Sequence, residues 1–416
     1  MARFVPELRH KGAHQDVQRL LGNLLAIRTL TGIVGGFVYF LLVRRWFDDL
    51  PTLLIFIVAL AVSLRSLANV PFAYFLGLNR AARWGLGDVA RQWGSLLFML
   101  VLTALAGLPG AVTAVLASEA LVLCLGLYWL KGHIQLKQVR IDRAFIRPFL
   151  RFNATFLASN LLLAFCLRIG ETLVKSATVD YREVGYFGMA MAGYLAAANA
   201  TWQIFLSFLP VLSHFWATGR QAAARERVGG LAGLLAAAGV VTLVVLVVFG
   251  RDIVLLVAGN RFAPVARLLV PIGIAILLNT AASAFRLLSL VQNRPLVALV
   301  SALFQAVTLM GGGYLLVSRL ASLGMTVAVA AAALMQTVAA GWAFRDDAGH
   351  WPRRWLAIVA LGGLFAPLTW ILNQGLVARV PTFLLCLAGY ATALHVFGLV
   401  TLSRVAVLWR GEGIGT

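Results

Sequence analysis

Acidic residues are scarce in this chain: 15 Asp and Glu stand against 35 Lys and Arg in 416 residues, and charged residues make up only 12% of the total. A soluble domain carries about 25% charged residues, so a chain this poor in charge does not present an ordinary water-facing surface. Cysteine is scarcer still. Cys124, Cys166 and Cys386 form neither a disulfide framework nor a zinc spacing; each falls in an apolar stretch, where a thiol acts as a small hydrophobe. No Walker loop, HExxH, paired-cysteine or GxSxG motif is present, so nothing points to ATP hydrolysis, a resident metal or acyl transfer. No cofactor and no enzymatic activity are expected. Residues 1–23 are polar and basic and lack an early apolar core ending in small residues, so no cleavable signal peptide is expected and the first span itself directs insertion. Alternation of polar and apolar residues is also missing from runs such as 231–250 and 321–343. That excludes a β-barrel and leaves α-helices as the membrane solution.

What fills the chain is apolar sequence. Hydrophobic residues are 61% of the total and the mean hydropathy is +0.90. The length fits about a dozen helices of about 20 residues with short loops. Spans are expected near 24–43, 53–78, 93–108, 111–130, 149–170, 184–209, 231–249, 265–288, 296–316, 321–343, 355–372 and 382–402. Placing the N-terminus in the cytoplasm puts Arg80, Arg83, Arg91, Arg143, Arg147, Arg220, Arg294 and most of the other basic residues inside, as the positive-inside rule asks. Twelve spans then leave both termini cytoplasmic. Trp46, Trp84, Trp93, Trp351 and Trp355 fall near span ends, where an aromatic belt sits. The net charge of +20 is loop punctuation between spans rather than a contiguous patch, so nucleic acid is not an expected partner. The break at 131–148 is basic and amphipathic. It reads as a linker on anionic headgroups, and as the seam between two helical lobes.

Three arginines interrupt otherwise apolar spans: Arg65, Arg168 and Arg286. A charge at the bilayer centre costs roughly 2.5–3.5 kcal/mol on the insertion scale and faces a bundle interior or a watery cavity. Three such cations suit an anionic ligand, because a guanidinium keeps its charge and makes bidentate contacts. Arg168 and Glu171 are three apart on one helix face, where they can pair or form a gate. Glu119 is the only acid in the middle of a span; it can pair with Arg65 or carry a coupling proton. Asn153, Asn160, Asn199, Gln203, Asn279 and Gln305 can line a sugar path or bond neighbouring helices. His395 reads as a packing residue, and His214 follows Pro210 towards the cytoplasm.

Two longer stretches carry a resemblance. Residues 183–220, EVGYFGMAMAGYLAAANATWQIFLSFLPVLSHFWATGR, and 257–294, VAGNRFAPVARLLVPIGIAILLNTAASAFRLLSLVQNR, resemble segments of polysaccharide flippases of the multidrug/oligosaccharidyl-lipid/polysaccharide (MOP) exporter superfamily. The connection at 69–91 is similar to one in that family's first lobe. The resemblance implies an all-α polytopic protein of about twelve transmembrane helices, in two bundles around a central cavity. In the family two further helices precede the segment matched by 1–43. Their signature is not found here, so residues 1–140 are expected to form an incomplete lobe of about four helices. Residues 141–345 form a lobe of about six, and 346–416 an appended pair.

The resemblance implies a flippase of the inner membrane that translocates a polyprenyl-diphosphate-linked oligosaccharide by alternating access, for cell-surface polysaccharide. Arg65, Arg168 and Arg286 are then candidates for the anionic head group, and Glu119 and Glu171 for gating or ion coupling. Membrane lipids, a polysaccharide polymerase and glycosyltransferases are the expected partners. Two alternatives are a cation-coupled drug antiporter of the same superfamily and an integral-membrane glycosyltransferase or polymerase.

Overall fold

In the computed structural model residues 4–10, 12–46, 51–131, 142–178, 180–345, 349–372 and 379–400 are described, and among them every regular element is helical. These are α1 (Phe4–His10), α2 (His14–Trp46), α3 (Thr52–Gly77), α4 (Ala81–Leu130), α5 (Arg143–Ala177), α6 (Tyr181–Ser207), α7 (Leu209–Ala217), α8 (Gln221–Ala258), a 3-10 turn (Asn260–Leu268), α9 (Leu269–Val291), α10 (Pro295–Ala343), α11 (Trp351–Leu372) and α12 (Arg379–Val396). Among the described residues eight helical runs are long and apolar enough to cross a membrane. The protein is an all-α polytopic membrane protein.

Two runs are too long for one crossing. α4 has 50 residues and α10 has 49, which at 1.5 Å per residue is about 75 Å against a hydrocarbon core of about 30 Å. Each breaks at one residue: Gly107 at φ 59°, ψ −136°, and Ala321 at φ 50°, ψ −130°. Those angles are near the first central position of a type II′ turn, which glycine occupies readily. The chain doubles back there. A Cβ on Gly110 would overlap the Leu102 carbonyl, and one on Gly324 would overlap that of Leu316. Each run is therefore a helical hairpin of two spans, at the places where two separate spans were expected.

The two hairpins share more than shape. Gly107 and Ala321, Gly110 and Gly324, and the helix starts Ala81 and Pro295 all differ by the same 214 residues. So do Asn79 and Asn293, both at φ 61°. Backbone bonds repeat too: Arg80 N–H donates to Phe75 O (2.9 Å) and Arg294 N–H to Ser289 O (2.8 Å). Residues 4–10, FVPELRH, recur at 208–214 as FLPVLSH. α1 to α4 and α7 to α10 are thus two copies of one unit. Side-chain content diverged while the backbone turns stayed.

Contacts group the chain into two units, 1–150 with 209–218, and 151–208 with 219–416. In the first, α3 packs along α2 and α4. Ser63 Oγ donates to the Gly32 carbonyl at 2.9 Å and Ser66 Oγ to that of Arg28 at 3.2 Å, so small residues let two backbones approach. Residues 1–23, polar and basic in sequence, nevertheless supply core. Val5, Leu20 and Leu21 are buried with Phe75, Leu130 and Ile146, because these apolar residues recur at helical spacing among the basic ones. Part of the basic linker, 132–141, lies outside the described residues. Its end is packed: Asp142 N–H donates to Asn23 Oδ1 at 2.6 Å, and the Asp142 carboxylate accepts from Phe145 N–H. α7 docks on α1, with the repeated histidines His10 and His214 edge-to-face at 5.5 Å.

In the second unit α9 is the central helix, contacted by α6, α8 and α10. α11 and α12, expected as an appendage, belong to this unit. Trp355 Nε1 donates to Thr280 Oγ1 at 2.9 Å and Tyr390 OH to the Ile358 carbonyl at 3.2 Å. Glu183, in the first turn of α6, ties one end of the unit together. Its carboxylate pairs with Arg267 at 3.2 Å and accepts from the backbone N–H and hydroxyl of Ser322, directly after the Ala321 turn. It thereby satisfies a donor at the start of the second half of α10.

Candidate functional site

Polar side chains collect inside the apolar helices at one place in each unit. In the first, Glu119 from the second half of α4 is buried, its side chain 4% exposed. A buried carboxylate needs compensation, and two arginines supply it. Arg91 Nε donates to Glu119 Oε2 at 3.2 Å, while its other nitrogens donate to Asp88 Oδ1 (3.0 Å) and Asn69 Oδ1 (2.8 Å). Arg65, midway along α3, reaches Glu119 Oε1 at 3.7 Å but is 64% exposed. The pairing of Arg65 with Glu119 was foreseen from sequence; Arg91 was not. It was placed in a cytoplasmic segment, because hydropathy alone put the start of the span at 93 whereas the helix begins at Ala81.

In the second unit a cleft of about 240 Å³ opens between α5, α6, α9 and α10, lined among others by Asn160, Trp202, Asn279, Arg286, Gln305 and Gln336. Arg286 donates to Asn160 Oδ1. Its guanidinium lies over the rings of Trp202 (4.3 Å to the centroid) and Phe156 (5.1 Å). Its Nε is buried without a hydrogen-bond partner, as is Oε1 of Gln305. No carboxylate pairs with Arg286 among the described residues.

The repeat relates the two places. At the offset of 214, Arg65 corresponds to Asn279, Asn69 to Ser283, Arg91 to Gln305 and Glu119 to Ala333. One unit carries a charged network that closes on itself. The other carries two amides, a serine and an alanine at those positions, and beside them Arg286, a cation without a counter-charge among the described residues. Tyr194, Trp202, Ser283 and Gln336 were overlooked as lining residues; the recurring Asn-Arg at 79–80 and 293–294 was the signal that would have led to them. Asn153 and Gln203 do not line the cleft. Arg168 is exposed and Glu171 half-buried, and among the described residues the two form no ion pair with each other.

No family model matches the chain, and no curated protein matches it significantly in sequence. Solved structures do. An outward-facing multidrug resistance MATE family transporter of the MOP superfamily superposes with a TM-score of 0.72 and 13% identity, over 85% of this chain and 82% of its own. The lipid II flippase MurJ in an inward closed conformation gives 0.62 and 11% identity, over 95% of this chain and 88% of its own. The chain has the MOP-superfamily fold. A MOP transporter from Pyrococcus furiosus, described by a binding pocket of reversed polarity, gives 0.68 and 14% over 86% and 82%. Identities this low carry the fold and nothing finer. Within this MOP fold, Arg286 and Gln305 are the described site residues with an unmet buried donor and acceptor.

Proposed function

We propose that this chain is a MOP-type flippase that carries a polyprenyl-diphosphate-linked oligosaccharide across the inner membrane, with both termini cytoplasmic. The observation that carries the reading is Arg286: a cation in an apolar helix, buried at Nε, opening on a polar cleft and paired with no carboxylate among the described residues. A buried charge without a counter-charge is costly, and an arriving anion relieves the cost. Arginine's fork suits a diphosphate. Arg65 is a second candidate contact, exposed and held at 3.7 Å by a carboxylate whose closer partner is Arg91. Arg168, also exposed, is a third. In this scheme Glu119 and Glu171 shift partners as access alternates. Glycosyltransferases supply the substrate and a polymerase consumes the product.

A drug antiporter has support from the MATE transporter superposition. The cleft speaks against a cationic drug, because its charged lining residue is an arginine. Proteoliposomes separate the two readings. Lipid-linked oligosaccharide becoming accessible to a membrane-impermeant modifying enzyme, with no ethidium movement under a proton or sodium gradient, supports the flippase. Ethidium movement without oligosaccharide translocation overturns it.

A further inference from the structure

We infer that the cleft of the second unit is a subsite for a sugar ring, the one adjoining the anionic group of the substrate, and that Gln305 is its specificity residue. The inference rests on the flippase reading for which sugar arrives there, but on the cleft's own chemistry for why a sugar fits.

Size comes first. A water needs only about 10–15 Å³ of cavity volume, so a cleft of about 240 Å³ admits a sugar ring. Chemistry comes second. Five carboxamides line the space, from Asn160, Asn199, Asn279, Gln305 and Gln336, and that of Asn160 accepts from Arg286. A carboxamide both donates and accepts, and so does a sugar hydroxyl; a drug-like apolar ligand would leave these groups unpaired. Gln305 is 6% exposed and its Oε1 has no hydrogen-bond partner, which is costly unless a ligand or solvent hydroxyl meets it. Charge comes third. Arg286 adds one cation at the edge of these amides, so the ring carries or adjoins an anion. That anion has two sources: the diphosphate linking sugar to lipid, or a carboxylate on the ring.

The corresponding place in the first unit shows what closes such a site. There Arg65, Arg91 and Glu119 replace Asn279, Gln305 and Ala333, and the arginines fill the acid's demand directly. In the second unit no acid stands at that place, and Arg286 Nε and Gln305 Oε1 are left for a ligand.

The test uses the full chain in nanodiscs and four probes: a short-chain polyprenyl diphosphate, the same diphosphate bearing N-acetylglucosamine, methyl glucuronide and methyl glucoside. Binding is measured for the parent, for Gln305→Leu and for Gln336→Leu, which keep side-chain size in case one variant folds poorly. The expected result is that the sugar-bearing diphosphate binds at least about tenfold tighter than the bare one, and that this ratio falls below about threefold in either variant. If the anion is a ring carboxylate instead, methyl glucuronide binds about tenfold tighter than methyl glucoside and the variants abolish the difference. Equal binding of bare and sugar-bearing diphosphate, with no glucuronide preference, overturns the sugar subsite while leaving the diphosphate reading standing. A glucuronide preference lost in the variants, without binding of either diphosphate, supports the subsite and removes the diphosphate reading. A preference retained in both folded variants overturns the role of Gln305.

Discussion

At the scale of single residues, the Glu119 network separates two arginines that look alike in sequence. Arg91 is 14% exposed and bonded to three partners, whereas Arg65 is 64% exposed with one distant contact. Removing one member of a buried pair strands the other's charge, which costs about 3 kcal/mol; an exposed pair is worth under about 1 kcal/mol. Glu119→Gln is therefore expected to lower the thermal unfolding midpoint of the purified protein markedly, and Arg65→Gln to leave it within a degree or two. Equal shifts would show that Arg65 is structural. Arg65 and Glu119 were legible as a pair because both interrupt apolar spans. Arg91 was not, because a charge near a span's end reads as loop until the helix is seen to continue.

At the scale of elements, the Ala321 turn holds a non-glycine residue where its repeat partner has glycine. An L-residue with a Cβ at φ 50°, ψ −130° is strained by about 1–3 kcal/mol. Ala321→Gly is expected to raise stability by up to about 1 kcal/mol, and Gly107→Ala to lower it by at least as much, measured by reversible unfolding in mild denaturant. Glu183 holds the same end of α10. Glu183→Gln weakens its bonds to Ser322 and Arg267, so hydrogen exchange at 321–325 is expected to quicken while that of α9 stays slow. The sequence made both halves of α4 and of α10 visible as separate spans, but not the single-residue turns at Gly107 and Ala321 that join them. It also hid α1. A basic surface with Val5, Leu8, Leu20 and Leu21 at helical spacing looks like a loop until Ile146 closes over it.

At the scale of the whole molecule, the repeat sets a topology that labelling can check. With six spans expected between them, the Gly107 and Ala321 turns are expected to face one side of the membrane, opposite the Asn79 and Asn293 turns. In a background lacking Cys124, Cys166 and Cys386, cysteines at Leu105 and Arg319 are expected to react with an impermeant maleimide from outside intact cells. Cysteines at Arg80 and Arg294 are expected to react only after permeabilisation. The all-α membrane fold was readable because apolar length is a bulk property. The cleft was not, because it depends on four helices far apart in sequence bringing Asn160, Trp202, Asn279 and Gln305 together. The most direct measurement of the central claim is translocation of a lipid-diphosphate oligosaccharide in proteoliposomes by the parent, Arg286→Lys and Arg286→Gln. The account predicts that Arg286→Gln loses at least about tenfold in rate, and that Arg286→Lys, which keeps charge but not the fork, falls between. Parent-like translocation by folded Arg286→Gln would contradict it.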